Sequence, residues 1–180
     1  MEKSKIERTV MSHREIKARY LEKLQKHFFI QEKVSGQHFS GKKLQLDAVL
    51  RPHTALGWKN PDVTLGIDFK DVSRFAQEYD TRNLTSWLAE CVDYANTRWE
   101  NYGFIYVFAC PSLIDQVPQH ILGNEMFVRN FMGQLGIGEL KELPYYGLTF
   151  LLHGHHRIWS EDRGVESGKQ YSLIKKFGSR

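Results

Sequence analysis

The chain has 180 residues, 41% of them apolar and 26% charged, and a formal net charge of +4. That length suits one domain (1–180) with a substantial core, and the mixture excludes a disordered or low-complexity chain. The mild basic balance permits a nucleic-acid partner without requiring one. No apolar run reaches membrane-spanning length and the start carries no signal-peptide apolar region, so no membrane partner and a cytoplasmic location are expected.

Residues 1–12 are polar and show no core pattern. Ser12 and Glu15 match a capping box, and Ile16, Tyr20, Leu21 and Leu24 recur behind them at helical spacing. Residues 28–34 read as a first strand ended by Ser35-Gly36, residues 43–51 as a second, and residues 64–70 as a third after a loop with two prolines. A helix is expected to begin between Asp80 and Asn83, with Leu84, Trp87, Leu88, Cys91, Val92 and Ala95 forming its apolar stripe. Residues 102–109 are a continuous apolar strand, expected to be buried on both faces. Residues 111–142 read as loops and short helices, and two final strands, 146–152 and 157–160, turn at His153-Gly154-His155. The organisation expected is a core over 12–110, a β-rich extension over 111–160 and a polar tail over 161–180. Helices on both sides of a mixed sheet make an α/β sandwich.

The second and third strands each carry an acid where a core residue would sit, Asp47 in one and Asp68 in the other. Lys70 follows Asp68 by two residues, so both side chains leave the third strand on the same face. Two carboxylates and an ammonium in a small space are costly to bury unless a cation joins them. Phosphodiester hydrolysis needs an activated water and a counter-charge for the phosphate, which carboxylate-held Mg²⁺ supplies. Asp47 and Asp68 are the expected ligands, with the Phe69 backbone carbonyl a third. Lys70 would either orient and help deprotonate the attacking water or support the phosphate electrostatically.

On these residues, and on the order helix, three strands, helix, strand, the chain resembles the PD-(D/E)xK nuclease superfamily, with Asp68-Phe69-Lys70 in the (D/E)xK place. The resemblance covers roughly residues 12–110. It implies an α/β fold with a restriction-endonuclease-like core, a central mixed β-sheet flanked by helices. It also implies a Mg²⁺-dependent DNA endonuclease, with Mn²⁺ able to substitute, of the phage or mobile-element type and so working in a host-cell cytoplasm. Duplex or branched DNA is the expected partner, and a homodimer enters because one centre cuts one strand. Family members often carry a glutamate in the first helix, a place filled by Glu15 with Glu22 as runner-up. They often place a Gln or Lys on the helix after the third strand, where Gln77 and Glu90 stand as candidates. Pro61-Asp62 lies only six residues before Asp68, which favours Asp47 as the motif acid and leaves Asp62 as a turn residue. The alternative is a nuclease-fold protein that binds nucleic acid without cutting it, as a replication or regulatory factor; an RNase on the same fold is a third option.

The remaining features are less specific. Lys42, Lys43, Arg51, His53, Trp58 and Lys59 flank the second strand and could track a phosphate backbone, with Trp58 available for stacking, or could be ordinary surface. His153, His155 and His156 do not have zinc-site spacing and read as a polar hairpin tip. Gly133, Gly136 and Gly138 read as a flexible loop, Trp87 and Trp99 as core, and Cys91 and Cys110 as buried free thiols.

Overall fold

The computed structural model describes residues 12–70, 81–112, 114–116, 125–171 and 173, with the side chains of residues 81–84 left aside. The chain begins there with α1 (His13–Leu24), then β1 (Phe28–His38), β2 (Lys43–Pro52) and β3 (Leu65–Phe69), which form an antiparallel meander. α2 (Thr81–Ala95) leads through the three-residue β4 (Thr97–Trp99) to β5 (Tyr106–Cys110), which lies parallel to β3. α3 (Glu125–Gln134) crosses to β6 (Ile137–Leu143), parallel to β5, and β7 (Gly147–Leu152), β8 (His156–Ser160) and β9 (Gly164–Val165) complete an antiparallel flank. The result is an α/β protein in which the described residues form one mixed nine-stranded sheet in the order β4-β1-β2-β3-β5-β6-β7-β8-β9.

Two apolar clusters cover the sheet. In one, Leu24 with the partly buried Tyr20 and Leu21 of α1 packs on Ala48, Leu50, Leu65, Ile67, Phe108 and Phe150. In the other, Trp87, Cys91, Tyr94 and Ala95 of α2 and Met132 of α3 pack with Val49, Val107, Ala109 and Ile137. Helices therefore lie on both sides of the sheet. The period-2 alternation of β3 sends Ile67 and Phe69 toward α1 and leaves Asp68 facing α2. Both cysteines are free and buried, and both tryptophans expected in the core are there, Trp99 on β4 rather than on a helix end.

Four expectations are corrected. The strand read over 102–109 starts only at Tyr106 as β5, because Asn101 at φ +65° and Gly103 at φ +71° turn the chain before it. β1 continues past Ser35-Gly36 to His38, because Gly36 lets β4 lie close: a Cβ there would come within 2.5 Å of Thr97 and 2.6 Å of Trp99. Within 111–142, read as loops and short helices, stands β6, a strand obscured by Gly138 and three charged residues. The three glycines are likewise not one loop: Gly133 ends α3, Gly136 turns the chain with φ +78°, and Gly138 sits in β6.

Candidate active site

The C-terminal end of β3 and the last turns of α2 build the site. Asp68 is 6% exposed, and its Oδ2 forms an ion pair with the Lys70 ammonium. The same ammonium donates to Glu90 Oε2 from α2. One turn further along the helix, Tyr94 reaches the group with its hydroxyl, 2.9 Å from Glu90 Oε1 and 3.2 Å from Asp68 Oδ1. A hydroxyl has one proton, so the closer Glu90 and the more distant Asp68 compete for it. Asp68 Oδ2 is thus in direct contact with the ammonium and Oδ1 with the Tyr94 hydroxyl, so each oxygen of this buried acid has a partner.

Asp47 approaches from β2. The ladder pairs Ala48 with Ile67, and the same register carried one step outward sets Asp47 opposite Asp68. There the carboxylate replaces the backbone ladder: Asp47 Oδ2 accepts from the Phe69 N–H at 2.8 Å. Its Oδ1 accepts from Lys17 of α1 at 3.0 Å, and Lys17 also pairs with Glu32 at 3.2 Å. His13, one turn before Lys17 on the same helix face, bonds through Nε2 to the Phe69 carbonyl at 2.9 Å. The expected third ligand oxygen thus already spends one lone pair on His13.

The electrostatics follow from burial. Loss of water raises the Asp68 pKa from the ordinary 3.8 to about 6; Lys70 opposes this, while Glu90 and Asp47 add to it. For Lys70 burial works toward the neutral amine, but Asp68 and Glu90 outweigh it and hold its pKa above the usual value. The ammonium form is therefore the resting one. Burial, then the charges of Asp68 and Glu90, push the Tyr94 hydroxyl up as well, so it acts as a neutral donor.

The first helix contributes differently from expectation. Glu15 is bonded to the Ser12 N–H and hydroxyl at 2.7 Å each, in a complete capping box, and these bonds lower its pKa. Among the described contacts none joins it to Asp47, Asp68 or Lys70. The reason is helical geometry: two residues on from His13 is about 200° around the axis, whereas Lys17 at four residues returns to the same face. Glu22 is exposed on α1, Asp62 lies in an exposed turn, and Gln77 falls outside the described residues. Glu90 does reach the site, and Tyr94, Lys17 and His13 are additions. The detectable signal was a pair of polar residues four apart beside each helix's apolar stripe.

The proposed phosphate-tracking residues do not form one surface. Lys42 is tied to Asp93 at 2.9 Å, Arg51 stacks over the Tyr102 ring at 5.1 Å, and Lys59 donates to the Gln170 carbonyl at 3.2 Å. Trp58, expected to be available for stacking, is partly buried against the α1-side core. Lys43 and Arg51 stand eight residues apart along β2, about 26 Å. At the hairpin tip His155 bonds to the His153 carbonyl and His156 to the Tyr171 hydroxyl.

A second triplet of the same type, Glu139-Leu140-Lys141, lies in the same row of the sheet, since Asp68 pairs with Ala109 and Ala109 with Glu139. Its surroundings differ. Arg129 from α3 donates to Glu139 at 2.9 Å and to Asp115 at 2.5 Å and pairs with Glu125 at 3.1 Å. Ser112 bonds the other Glu139 oxygen, and Lys141 pairs with Asp115 at 2.7 Å. With every carboxylate matched by a fixed cation or hydroxyl, this cluster cements α3 to β6.

Among the described residues no three His, Cys, Asp or Glu side chains form a group arranged for a metal ion. The donors at the first site are nonetheless of one chemical kind: the Asp47 and Asp68 carboxylates and the Phe69 carbonyl are hard oxygens. That set fits a hard divalent cation better than a soft one. Comparisons of the chain with protein-family models, with curated proteins and with solved structures found no match.

Proposed function

We propose that the chain is a Mg²⁺-dependent DNA endonuclease whose centre is Asp47, Asp68 and Lys70. One observation carries the reading: a buried acid on β3 pairs with the lysine two residues later, and a second acid on the neighbouring strand bonds the N–H of Phe69, the residue between them. The helix, antiparallel meander, helix and parallel strand around them support a restriction-endonuclease-like core. Asp47, Asp68 and the Phe69 carbonyl would hold the cation, which when bound activates water and neutralises charge on the phosphate. Lys70, kept protonated by its two acids, holds the phosphate or water as a fixed positive charge and does not act as the base. Glu90 and Tyr94 fix where that charge sits.

The competing reading, a binding protein without cleavage, draws on the Lys70 ammonium being already matched by Asp68 and Glu90. Supercoiled plasmid incubated with Mg²⁺, with Mn²⁺ and with EDTA separates the two. Metal-dependent nicking or linearisation is expected, lost at least about a hundredfold in Asp47→Ala and in Asp68→Ala. Binding in EDTA should persist in both variants. A wild-type chain that binds DNA and never cuts it would move the assignment to the binding protein.

A further inference from the structure

We infer that a cleft beside this centre binds a single nucleic-acid strand and leads it to Asp68 and Lys70; the inference rests on the nuclease reading and names the form of its substrate. The cleft, of about 930 Å³, opens where the β1–β2 hairpin meets β4 and the end of α2. Its size is near the top of the range of about 300–1,000 Å³ typical of ligand sites, room for more than one nucleotide.

The lining combines the two chemistries that a single strand requires. Lys43 and Arg98 are cations without an ion-pair partner among the described residues, against a single lining carboxylate, Glu100. Phe39, 77% exposed at the hairpin tip, tilts against the His38 ring at 4.2 Å and keeps most of its surface open, and Phe104 lines the same space. The Gln37, Asn96 and Asn101 amides bring donors and acceptors suited to base edges. A positive groove with aromatic platforms matches the physics of sequence-tolerant single-strand binding, in which phosphates meet cations and bases stack. Duplex DNA would expose no base faces to Phe39.

Position links the cleft to the chemistry. The ends of β1 and β3 and the start of β2 lie at one end of the sheet, because β2 runs antiparallel to both. α2 then joins the two places directly. Glu90 holds Lys70, and three residues on, Asp93 holds Lys42 at 2.9 Å and lies 3.9 Å from the His38 ring. Along β2 the lining Lys43 stands four residues before Asp47, about 13 Å, so a strand seated in the cleft has only a short span to cover to the centre.

Fluorescence anisotropy with a labelled 15-nucleotide oligothymidine and with a matching hairpin duplex, both in EDTA, tests this on the full chain. Phe39→Ala and Arg98→Gln should each weaken single-strand binding about tenfold. Lys59→Ala, on another surface, should leave it unchanged, and melting curves check that all three variants fold. Unchanged single-strand affinity in Phe39→Ala and Arg98→Gln overturns the inference. An equal loss on the duplex does so too, making the surface a general backbone contact, and so does binding of neither nucleic acid, which would leave the β4 edge to a protein strand. The readout needs no cleavage, so the two ideas fail separately. A chain that cuts plasmid while both variants bind normally keeps its active site and loses this cleft; one that binds through the cleft and never cuts does the reverse.

Discussion

Replacing Asp68 with Asn keeps the side-chain shape and removes the charge that burial penalises. In the wild type, a carboxyl moved from 3.8 to about 6 costs about 3 kcal/mol more to ionise in the folded state than in the unfolded chain. Because the folded-state pKa lies above the unfolded one, that contribution is complete below pH 3.8 and is lost as pH rises through about 6. The amide in Asp68→Asn cannot ionise and loses nothing over the same range. The variant should therefore gain on the wild type between pH 4 and pH 7.5, by about 3 kcal/mol or about 6–12 °C in melting temperature for a chain of this size. Taking the difference between the two proteins cancels the other titrating carboxylates, including Glu15 and Glu142, whose lowered values work in the opposite direction. Urea unfolding of both proteins at half-unit pH steps gives the curve directly. A gap that stays constant from pH 4 to 7.5, or that moves toward the wild type, refutes the claim that Asp68 is held charged at a cost. The same substitution should abolish cutting, so the position would trade stability for activity.

Two further substitutions test the placement of the surrounding charges. Glu15→Ala should lower the melting temperature slightly through loss of the capping box and leave the cutting rate per folded molecule within about twofold; a hundredfold loss of rate with a normal melt would return Glu15 to the site. Arg129→Met should destabilise by about 3–5 kcal/mol, because Glu139 at 2% exposure and its neighbour Asp115 lose their shared guanidinium. Thermal melts read that cost, and a change below about 1 kcal/mol would mean the cluster is not the joint between α3 and β6.

The alternation of β2 and β3 was legible because an acid inside an apolar run has few structural reasons to be there. Asp47, Asp68 and Lys70 were accordingly readable as a set, and the structure brings them to adjoining strands. Glu139-Leu140-Lys141 shows why the triplet alone was insufficient. Its spacing is the same, but Arg129 and Ser112 arrive from distant parts of the chain and turn the acid into a structural joint. Their approach is a property of packing that no local pattern encodes. Tyr94 and His13 escaped for a related reason. Each lies at the margin of an amphipathic face, where the sequence cannot say whether a polar side chain turns toward water or under the sheet. β6 was hidden because its buried Gly138 and Glu139 break the apolar pattern by which a strand is recognised.

The way α1 is held has a consequence for ionic strength. Leu24 is its only fully buried side chain, and much of its attachment is polar: His13 to Phe69, Lys17 to Asp47 and Glu32, Arg19 and Lys23 to Glu142. The exposed pairs among these, Arg19 and Lys23 with Glu142, weaken as electrolyte shortens the Debye length from about 10 Å at 0.1 M to about 3 Å at 1 M; the half-buried Lys17–Asp47 pair weakens less and apolar packing does not. Concentrated salt would thus loosen the helix that steadies Asp47 before it disturbs the sheet beneath. A fall in cutting with added salt would then have two sources, displacement of the nucleic acid and slackening of the helix, and only the second would appear in the protein's circular dichroism with no DNA in the cuvette.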